Sequence, residues 1–219
     1  MGVFEIRIHL LLSLVLSSAV LSAEDPSQSP EAIVRRVDHH YNHLSSLQAY
    51  YSEHYTGMGM DRTESGTLLL KKPGRMRWSY ATPPGKVFIL DGKDGWFYTP
   101  GNYQAQHISA RQLDDLRSPL RFLLGHTQLE KELENLTVHP VSGGYTISGI
   151  PKGMNERVKM LNLGVDMEGL IVSMSLSEVD GATTEFTFSG LREDIPIPSG
   201  TFTFTRPPGV AIVEGLPPI

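Results

Sequence analysis

Residues 66–100, GTLLLKKPGRMRWSYATPPGKVFILDGKDGWFYTP, contain four short runs of strand-forming residues. Turn-forming residues separate these runs at Pro73-Gly74, Pro83-Pro84-Gly85 and Asp91-Gly92. Proline fixes φ where the chain bends, and glycine tolerates a positive φ where it turns sharply. In the second run, Met76, Trp78 and Tyr80 share one face, while Arg77 and Ser79 lie on the other. This alternation predicts an antiparallel meander with one apolar face and one solvated face.

A second set of strand-like runs occupies the C-terminal half of the chain, with glycine-containing loops between most of them. These strands are predicted over residues 135–139, 145–150, 157–165, 170–179, 183–191 and 201–206. Before the meander, a tyrosine-rich strand over 49–55 leads through a flexible connection at 57–60, and residues 103–108 add a strand after it. About eleven strands in mostly sequential order make an antiparallel sheet that curls into a barrel or half-barrel. The predicted fold class is mainly β with helices (α+β).

Two helical regions accompany the predicted sheet. Ser29-Pro30-Glu31 has the residues of a helix start, and the apolar positions that follow recur every three to four residues at Ile33, Val34, Val37, Tyr41, Leu44 and Leu47. Residues 109–133 have the period of three short helices. The middle one is apolar over more than one stripe, at Leu120, Phe122, Leu123 and Leu124. These helices are the segments able to cover the mouth of a barrel.

The N-terminus has the layout of a secretory signal peptide. A short polar start precedes an apolar run over residues 10–21, and Ser22-Ala23 precedes the first acidic residues. The run is shorter than the ~20 residues that cross a bilayer, so cleavage after Ala23 is favoured over a membrane anchor. The prediction is a signal peptide over residues 1–23 followed by a single domain over 24–219. The exported chain is expected to be soluble and monomeric.

Composition and motifs exclude several functions. A net charge of -5 without a basic stripe disfavours nucleic acid, and the absence of cysteine excludes disulfides, thiol catalysis and lipidation of the chain itself. His39 and His43 have the i, i+4 spacing of metal ligands, but no HExxH-type motif accompanies them, so a polar helix face is the preferred interpretation. The chain contains no GxSxG elbow and no phosphate-binding loop, so neither catalysis nor a cofactor or metal is predicted. A remaining alternative is a β-sheet binding module that exposes Trp96, Tyr98 and Tyr103.

The meander resembles the LolA family of periplasmic carriers of outer-membrane lipoproteins. The resemblance lies in Lys72 and Pro73 before the strand motif Arg77-Trp78-x-Tyr80, followed by Asp91-Gly92 and the run WFYTP at 96–100. It continues to the motif FTFTRPPGV at 202–210 and thus covers nearly the whole chain. Related families share the fold. LolB is anchored through a lipidated cysteine that this chain lacks, and regulators of the RseB type carry a second domain for which the chain has no room.

The resemblance implies a half-open barrel of about eleven strands covered by a helical lid. It implies a carrier that receives lipoproteins from the inner-membrane LolCDE transporter and delivers them to LolB or an equivalent acceptor at the outer membrane. The expected location is the periplasm. The alternative function is a related periplasmic lipid or glycolipid carrier, or an envelope-stress lipoprotein sensor of the same fold.

The alternating pattern leaves open whether the apolar face is a plain core or the wall of a cavity, and the resemblance favours an acyl-chain cavity. The residues expected to line it are Leu68, Leu70, Met76, Trp78, Tyr80, Leu161, Leu163, Met174, Leu176, Phe186 and Phe188. The expected lid residues are Leu120, Phe122, Leu123 and Leu124. Lys72 occupies the position of the family's basic residue that holds the lid closed. A rim lysine that keeps its ammonium group in water is the other interpretation.

Overall fold

A computed structural model of the protein describes residues 26–109 and 128–215. Within them, one sheet contains twelve strands: β1 Ser46–Gly57, β2 Met60–Lys71, β3 Arg75–Tyr80, β4 Val87–Asp91, β5 Gly95–Tyr98, β6 Gln104–Ile108, β7 Leu133–Val141, β8 Gly144–Pro151, β9 Val158–Asp166, β10 Ile171–Glu178, β11 Thr183–Glu193 and β12 Ala211–Glu214. The helices are α1 Pro30–His43 and α2 Leu129–Glu132, with 3-10 turns at Pro26–Gln28 and Ser199–Phe202. No helix in these two ranges is long and apolar enough to cross a membrane.

The strand order is β12-β6-β5-β4-β3-β2-β1-β11-β10-β9-β8-β7. Neighbours are antiparallel except for β12, which pairs with β6 in parallel. Pairing of β1 with β11 joins the two halves of the chain, and β12 and β7 form the two outer edges. The sheet is therefore curved but open, as predicted, and the number of strands is twelve instead of about eleven.

The additional strand, β12, was not predicted, and the predicted strand over 201–206 is wrong. Residues 199–202 form the 3-10 turn, and the following residues are extended without entering the sheet. Phe202 is only 2% exposed because its ring packs on the sheet instead of lying beside another strand. Phenylalanine and threonine alternate over 201–204 because every second side chain of this extended segment packs on the sheet. This alternation has the same period of two as a strand.

Helix α1 starts where the sequence indicates, but it ends before the last positions of the predicted apolar stripe. The Ser29 hydroxyl accepts a hydrogen bond from the Ala32 amide at 3.2 Å, and Pro30 opens the helix. The helix ends at His43, so the predicted stripe is wrong at Leu44 and Leu47. Both side chains are buried, but Leu47 belongs to β1, where it shares a face with Ala49. A strand residue can continue a helical spacing by coincidence when the connection between them is short.

The connection between β1 and β2 is a two-residue turn and not a flexible segment. The strands pair along their whole length, from Ser46 opposite Lys71 to Gly57 opposite Met60. Met58 and Gly59, which join them, both have positive φ, 53° and 76°. Two consecutive positive φ angles match the twist of an antiparallel hairpin.

The sheet carries apolar contacts on both faces. We call the face against which α1 packs the inner face and the opposite one the outer face. On the outer face of β2 to β5, the C-terminal segment packs its apolar side chains against those of the sheet, in a cluster of Leu69, Val87, Ile89, Trp96, Tyr98, Ile195, Ile197, Phe202 and Phe204. Arg77 Nη1 donates to the Thr201 carbonyl at 3.1 Å, and Lys71 Nζ donates to the Ile197 carbonyl at 2.9 Å. The predicted solvated face is therefore wrong for these strands.

We expect Phe202→Ala to lower the free energy of unfolding by about 3–5 kcal/mol, because it opens a cavity under the C-terminal segment. Tyr103→Ala is the control, since the Tyr103 side chain is 85% exposed. Urea denaturation followed by tryptophan fluorescence measures both. Equal stability of the two variants would show that the segment lies on the outer face without stabilising it.

Candidate ligand-binding face

The structure brings all eleven predicted cavity residues into one apolar cluster on the inner face. Strand register places them side by side: Leu68 is opposite Trp78, and Met174 is opposite both Leu163 and Phe186. Eight of them are buried, namely Leu68, Leu70, Met76, Trp78, Leu161, Leu163, Met174 and Phe188. The partly exposed ones are Tyr80, Leu176 and Phe186. The assignment of these residues to one face is therefore correct, while their contact with acyl chains stays a prediction.

Several residues of this cluster were not recognised in the sequence. They come from β1, α2, β7, β8, β9 and β10 and include Tyr51, Leu129, Leu133, Tyr145, Ile147, Val165 and Ile171. For Tyr51 the available signal was alternation: Ala49, Tyr51 and Tyr55 are buried, whereas Tyr50 is 55% exposed. Because tyrosines occur on both faces of this strand, the sequence alone does not show the alternation of buried and exposed positions.

Aromatic rings form the centre of the inner face. The Trp78 ring lies 4.5 Å from the Tyr51 ring and 5.5 Å from the Phe186 ring, measured between centroids. Phe186 and Phe188 are stacked at 6.2 Å. Gly66 on β2 allows the close packing here, since a Cβ there would overlap the Ser79 carbonyl oxygen and lie 2.9 Å from the Tyr51 ring. Flat rings of this kind offer a large apolar surface with few rotatable bonds.

Helix α1 covers one end of the inner face. Its side chains Ile33, Val34, Val37 and Tyr41 are at most 3% exposed. The Tyr41 hydroxyl accepts a hydrogen bond from the Ile171 amide at 3.1 Å, and burial raises the pKa of Tyr41. The Asp38 carboxylate accepts a hydrogen bond from the Leu129 amide at 3.1 Å, which joins α1 to α2. The helix is thus fixed to the sheet at its C-terminal half.

Lys72, the predicted latch, contacts this helix. Its Nζ donates to the carbonyl oxygen of Tyr41 in the last turn of α1, where a cation also complements the helix dipole. Burial lowers the pKa of Lys72, because it disfavours the charged ammonium. The four predicted lid residues lie outside the described ranges, so the contact between Lys72 and a lid stays a prediction.

Charged side chains occupy the other end of the inner face. Glu53 on β1 is directly opposite Glu64 on β2, and both project on the same side as Tyr51. Lys86 Nζ forms an ion pair with Glu64 and lies 4.0 Å from the centroid of the Tyr80 ring. Burial and the nearby Glu64 raise the pKa of Glu53. An apolar face thus ends in a polar row, a feature that the sequence pattern did not reveal.

Other candidate sites have structural partners. His43 Nδ1 is 2.8 Å from the His39 carbonyl, and the two rings stack at 4.1 Å. Among the residues with described positions, no group of three or more potential metal ligands comes together. Trp96 and Tyr98, proposed above as exposed aromatics, pack against Phe204 on the outer face. Of that aromatic set, Tyr103 is the one that is largely exposed.

Comparisons with known proteins agree with this architecture. A family model described as outer membrane lipoprotein carrier protein LolA matches residues 43–205. The outer-membrane lipoprotein carrier protein of Nitrosomonas europaea is 26% identical over 211 residues, which cover 94% of this chain and 98% of that protein. The protein of the same name from Azotobacter vinelandii is 27% identical over 207 residues, 93% of this chain and 99% of that protein. The crystal structure of an uncharacterised conserved protein from Thermus thermophilus is similar with a TM-score of 0.53 and 13% identity, over 86% of this chain and all of that one.

We expect Tyr41→Phe to lower the free energy of unfolding by about 1–3 kcal/mol, because it leaves the buried Ile171 amide without an acceptor. Tyr103→Phe, which removes a hydroxyl from an exposed ring, is the matched control. Both are measured by urea denaturation. A Tyr41→Phe variant as stable as the control would mean that packing alone holds α1 on the sheet.

Proposed function

The chain belongs to the LolA family of outer membrane lipoprotein carrier proteins, and from this premise we propose that its inner face binds the acyl chains of lipoproteins. The protein would carry them through the aqueous periplasm as a soluble carrier. The proposal includes no chemical step on the cargo, and it requires neither a metal nor a cofactor.

The observation that carries this proposal is the continuity of the apolar surface. Residues from strands on both sides of the β1–β11 pair contribute to a single cluster, although they are far apart in sequence, as are Leu68 on β2 and Met174 on β10. Tyr80, Leu176 and Phe186 in this cluster are partly exposed, so part of the surface is reachable from solvent. An apolar concave surface with a few polar groups is the usual form of a site for a hydrophobic ligand.

The energetics of acyl chains explain why a carrier is needed. Exposing one ~16-carbon chain to water costs on the order of 12 kcal/mol at ~0.8 kcal/mol per CH₂ group. Moving a chain from a bilayer to an apolar protein surface exchanges one apolar medium for another and can be nearly neutral. Such neutrality allows release as well as capture.

We also propose the route that the family resemblance implies. Cargo would come from the inner-membrane LolCDE transporter and pass to LolB or an equivalent acceptor at the outer membrane, after removal of residues 1–23. Energy for extraction has to come from the transporter, since the sequence contains no GxxxxGK[ST] loop. In this scheme Lys72 acts on delivery, because it contacts α1 beside the binding surface and lies outside the apolar cluster.

We expect Phe186→Glu to weaken binding of a triacylated lipopeptide by at least tenfold, because an ionised carboxylate within the apolar cluster loses solvation without a partner. Phe186 is partly exposed, so the substitution is compatible with folding, which circular dichroism checks. Thr187→Glu places the same charge on the exposed opposite side of β11 and is the matched control. Binding is measured by displacement of a fluorescent hydrophobic probe. If both variants bind as wild type does, the acyl chains lie elsewhere.

We expect Lys72→Leu to bind lipopeptide within about twofold of wild type and to change the rate of its transfer to acceptor vesicles carrying LolB. The substitution removes the hydrogen bond to the Tyr41 carbonyl and leaves the apolar wall intact. Lys71→Leu is the control, since Lys71 contacts the C-terminal segment on the outer face. Equal transfer rates for wild type and Lys72→Leu would remove Lys72 from the delivery step.

A further inference from the structure

Two buried hydrogen-bond donors on the inner face have no acceptor. The Tyr51 hydroxyl and the Trp78 Nε1 are buried, and neither makes a hydrogen bond in the part of the chain that the structure describes. Both side chains are only 3% exposed, and their rings are neighbours. Buried donors without partners cost free energy, since they have given up water and received nothing in return. They are conspicuous here because most buried polar groups in proteins are satisfied.

The surroundings of these donors are polar on one side. Burial, followed by the nearby Tyr80, raises the pKa of the Tyr51 hydroxyl, and Glu53 and Glu64 add to this effect, whereas the neighbouring Trp78 N–H acts in the opposite direction. Glu64 is paired with Lys86 and lies 3.6 Å from Arg62 Nε. Glu53 makes no ion pair or hydrogen bond of its own among the described residues, and Arg62 and Lys86 act on it only through their charges. Beside an apolar wall, the site therefore presents two neighbouring donors without a hydrogen bond of normal geometry and one carboxylate without an ion pair or hydrogen bond among the described residues.

We propose that Tyr51, Trp78 and Glu53 form a polar subsite for the ester and amide groups that join the acyl chains of a lipoprotein to its first residue. This inference rests on the proposed function. Ester and amide carbonyls are acceptors for the Tyr51 O–H and the Trp78 N–H, and an amide N–H is a donor for the Glu53 carboxylate. The acyl chains then lie along the apolar cluster, and the peptide leaves at the charged end of the face.

The same contacts determine how the ligand is oriented. Apolar chains have no preferred direction on an apolar surface, because hydrophobic attraction is non-directional. Hydrogen bonds at one end of the surface fix which end of the cargo lies there. The partly exposed Phe186 ring packs edge-on against the Trp78 ring, with 5.5 Å between the centroids, so the indole lies next to a side chain that solvent reaches.

A phospholipid carries two acyl esters on glycerol, as a diacylglyceryl lipopeptide does. The two ligands differ in the group that follows the glycerol, which is a phosphate in one and a peptide in the other. A phosphate would lie next to the Glu53 carboxylate, where like charges repel, whereas the nearby cations Arg62 and Lys86 already pair with Glu64. A lipopeptide has an amide N–H in the corresponding place. We therefore assign the subsite to the linkage of an acylated peptide and not to an anionic phospholipid.

The test compares a synthetic diacylglyceryl lipopeptide with its dialkyl ether analogue, which has the same chain length and lacks the ester carbonyls. We expect wild-type protein to bind the ester at least fivefold more tightly than the ether. Tyr51→Phe removes one donor with almost no change of shape and should reduce this ratio to about two or less. Tyr98→Phe, which removes a hydroxyl from the outer face, should keep the wild-type ratio. Isothermal titration calorimetry measures each pair.

The outcomes separate the two proposals. Binding of neither lipopeptide by wild-type protein would overturn the proposed function. Binding of both with equal affinity, or a Tyr51→Phe ratio equal to that of wild type, would overturn the polar subsite alone. A third ligand, phosphatidylglycerol with the same chains, is expected to bind more weakly than the ester lipopeptide. If it binds as tightly and depends equally on Tyr51, the subsite belongs to phospholipids and the assignment to lipopeptides is wrong.

Discussion

The structure depends on how an open sheet buries the apolar side of its strands. Within residues 26–109 and 128–215, twelve strands curl without closing and form an inner face wider than one helix, with α1 at one end of it. The helix is fixed there by polar contacts, from Tyr41 to the Ile171 amide and from Lys72 to the Tyr41 carbonyl. Beyond the helix, Phe186 and Tyr80 remain partly exposed beside the charged row. Apolar side chains that stay partly exposed on such a face are available for an apolar partner.

Much of this face could be predicted from sequence because its determinants are local. Alternation with period two assigned Trp78, Leu163 and Phe188 to one side of their strands without knowledge of the partners. The same reasoning failed where contacts come from distant parts of the chain. Phe202 packs on Ile89, more than a hundred residues earlier, and the alternation of phenylalanine and threonine around it was wrongly interpreted as a strand. The irregular pairing of β9 with β10 at Val172 was not predicted either. Ile171 pairs with Val165 and Ser173 pairs with Gly164, and this shift in register places Ile171 in the inner cluster.

The charged end of the inner face contradicts the simple rule that inward positions are apolar. Glu53 and Glu64 both occupy inward positions of long, well-paired strands, and only Glu64 has ion-pair partners. Local rules of sequence and structure are most often broken at functional sites. The unpaired carboxylate and the two unsatisfied donors beside it therefore form one polar feature at the end of an apolar surface.

The central claim is that acyl chains lie on the inner face. A lipopeptide whose acyl chain ends in a photoactivatable diazirine tests it directly, with mass spectrometry to identify the labelled residues after illumination. Labels are expected on the partly exposed inward positions of β3, β10 and β11, at Tyr80, Leu176 and Phe186. Labels confined to the outer face, on the cluster around Phe204, would contradict it.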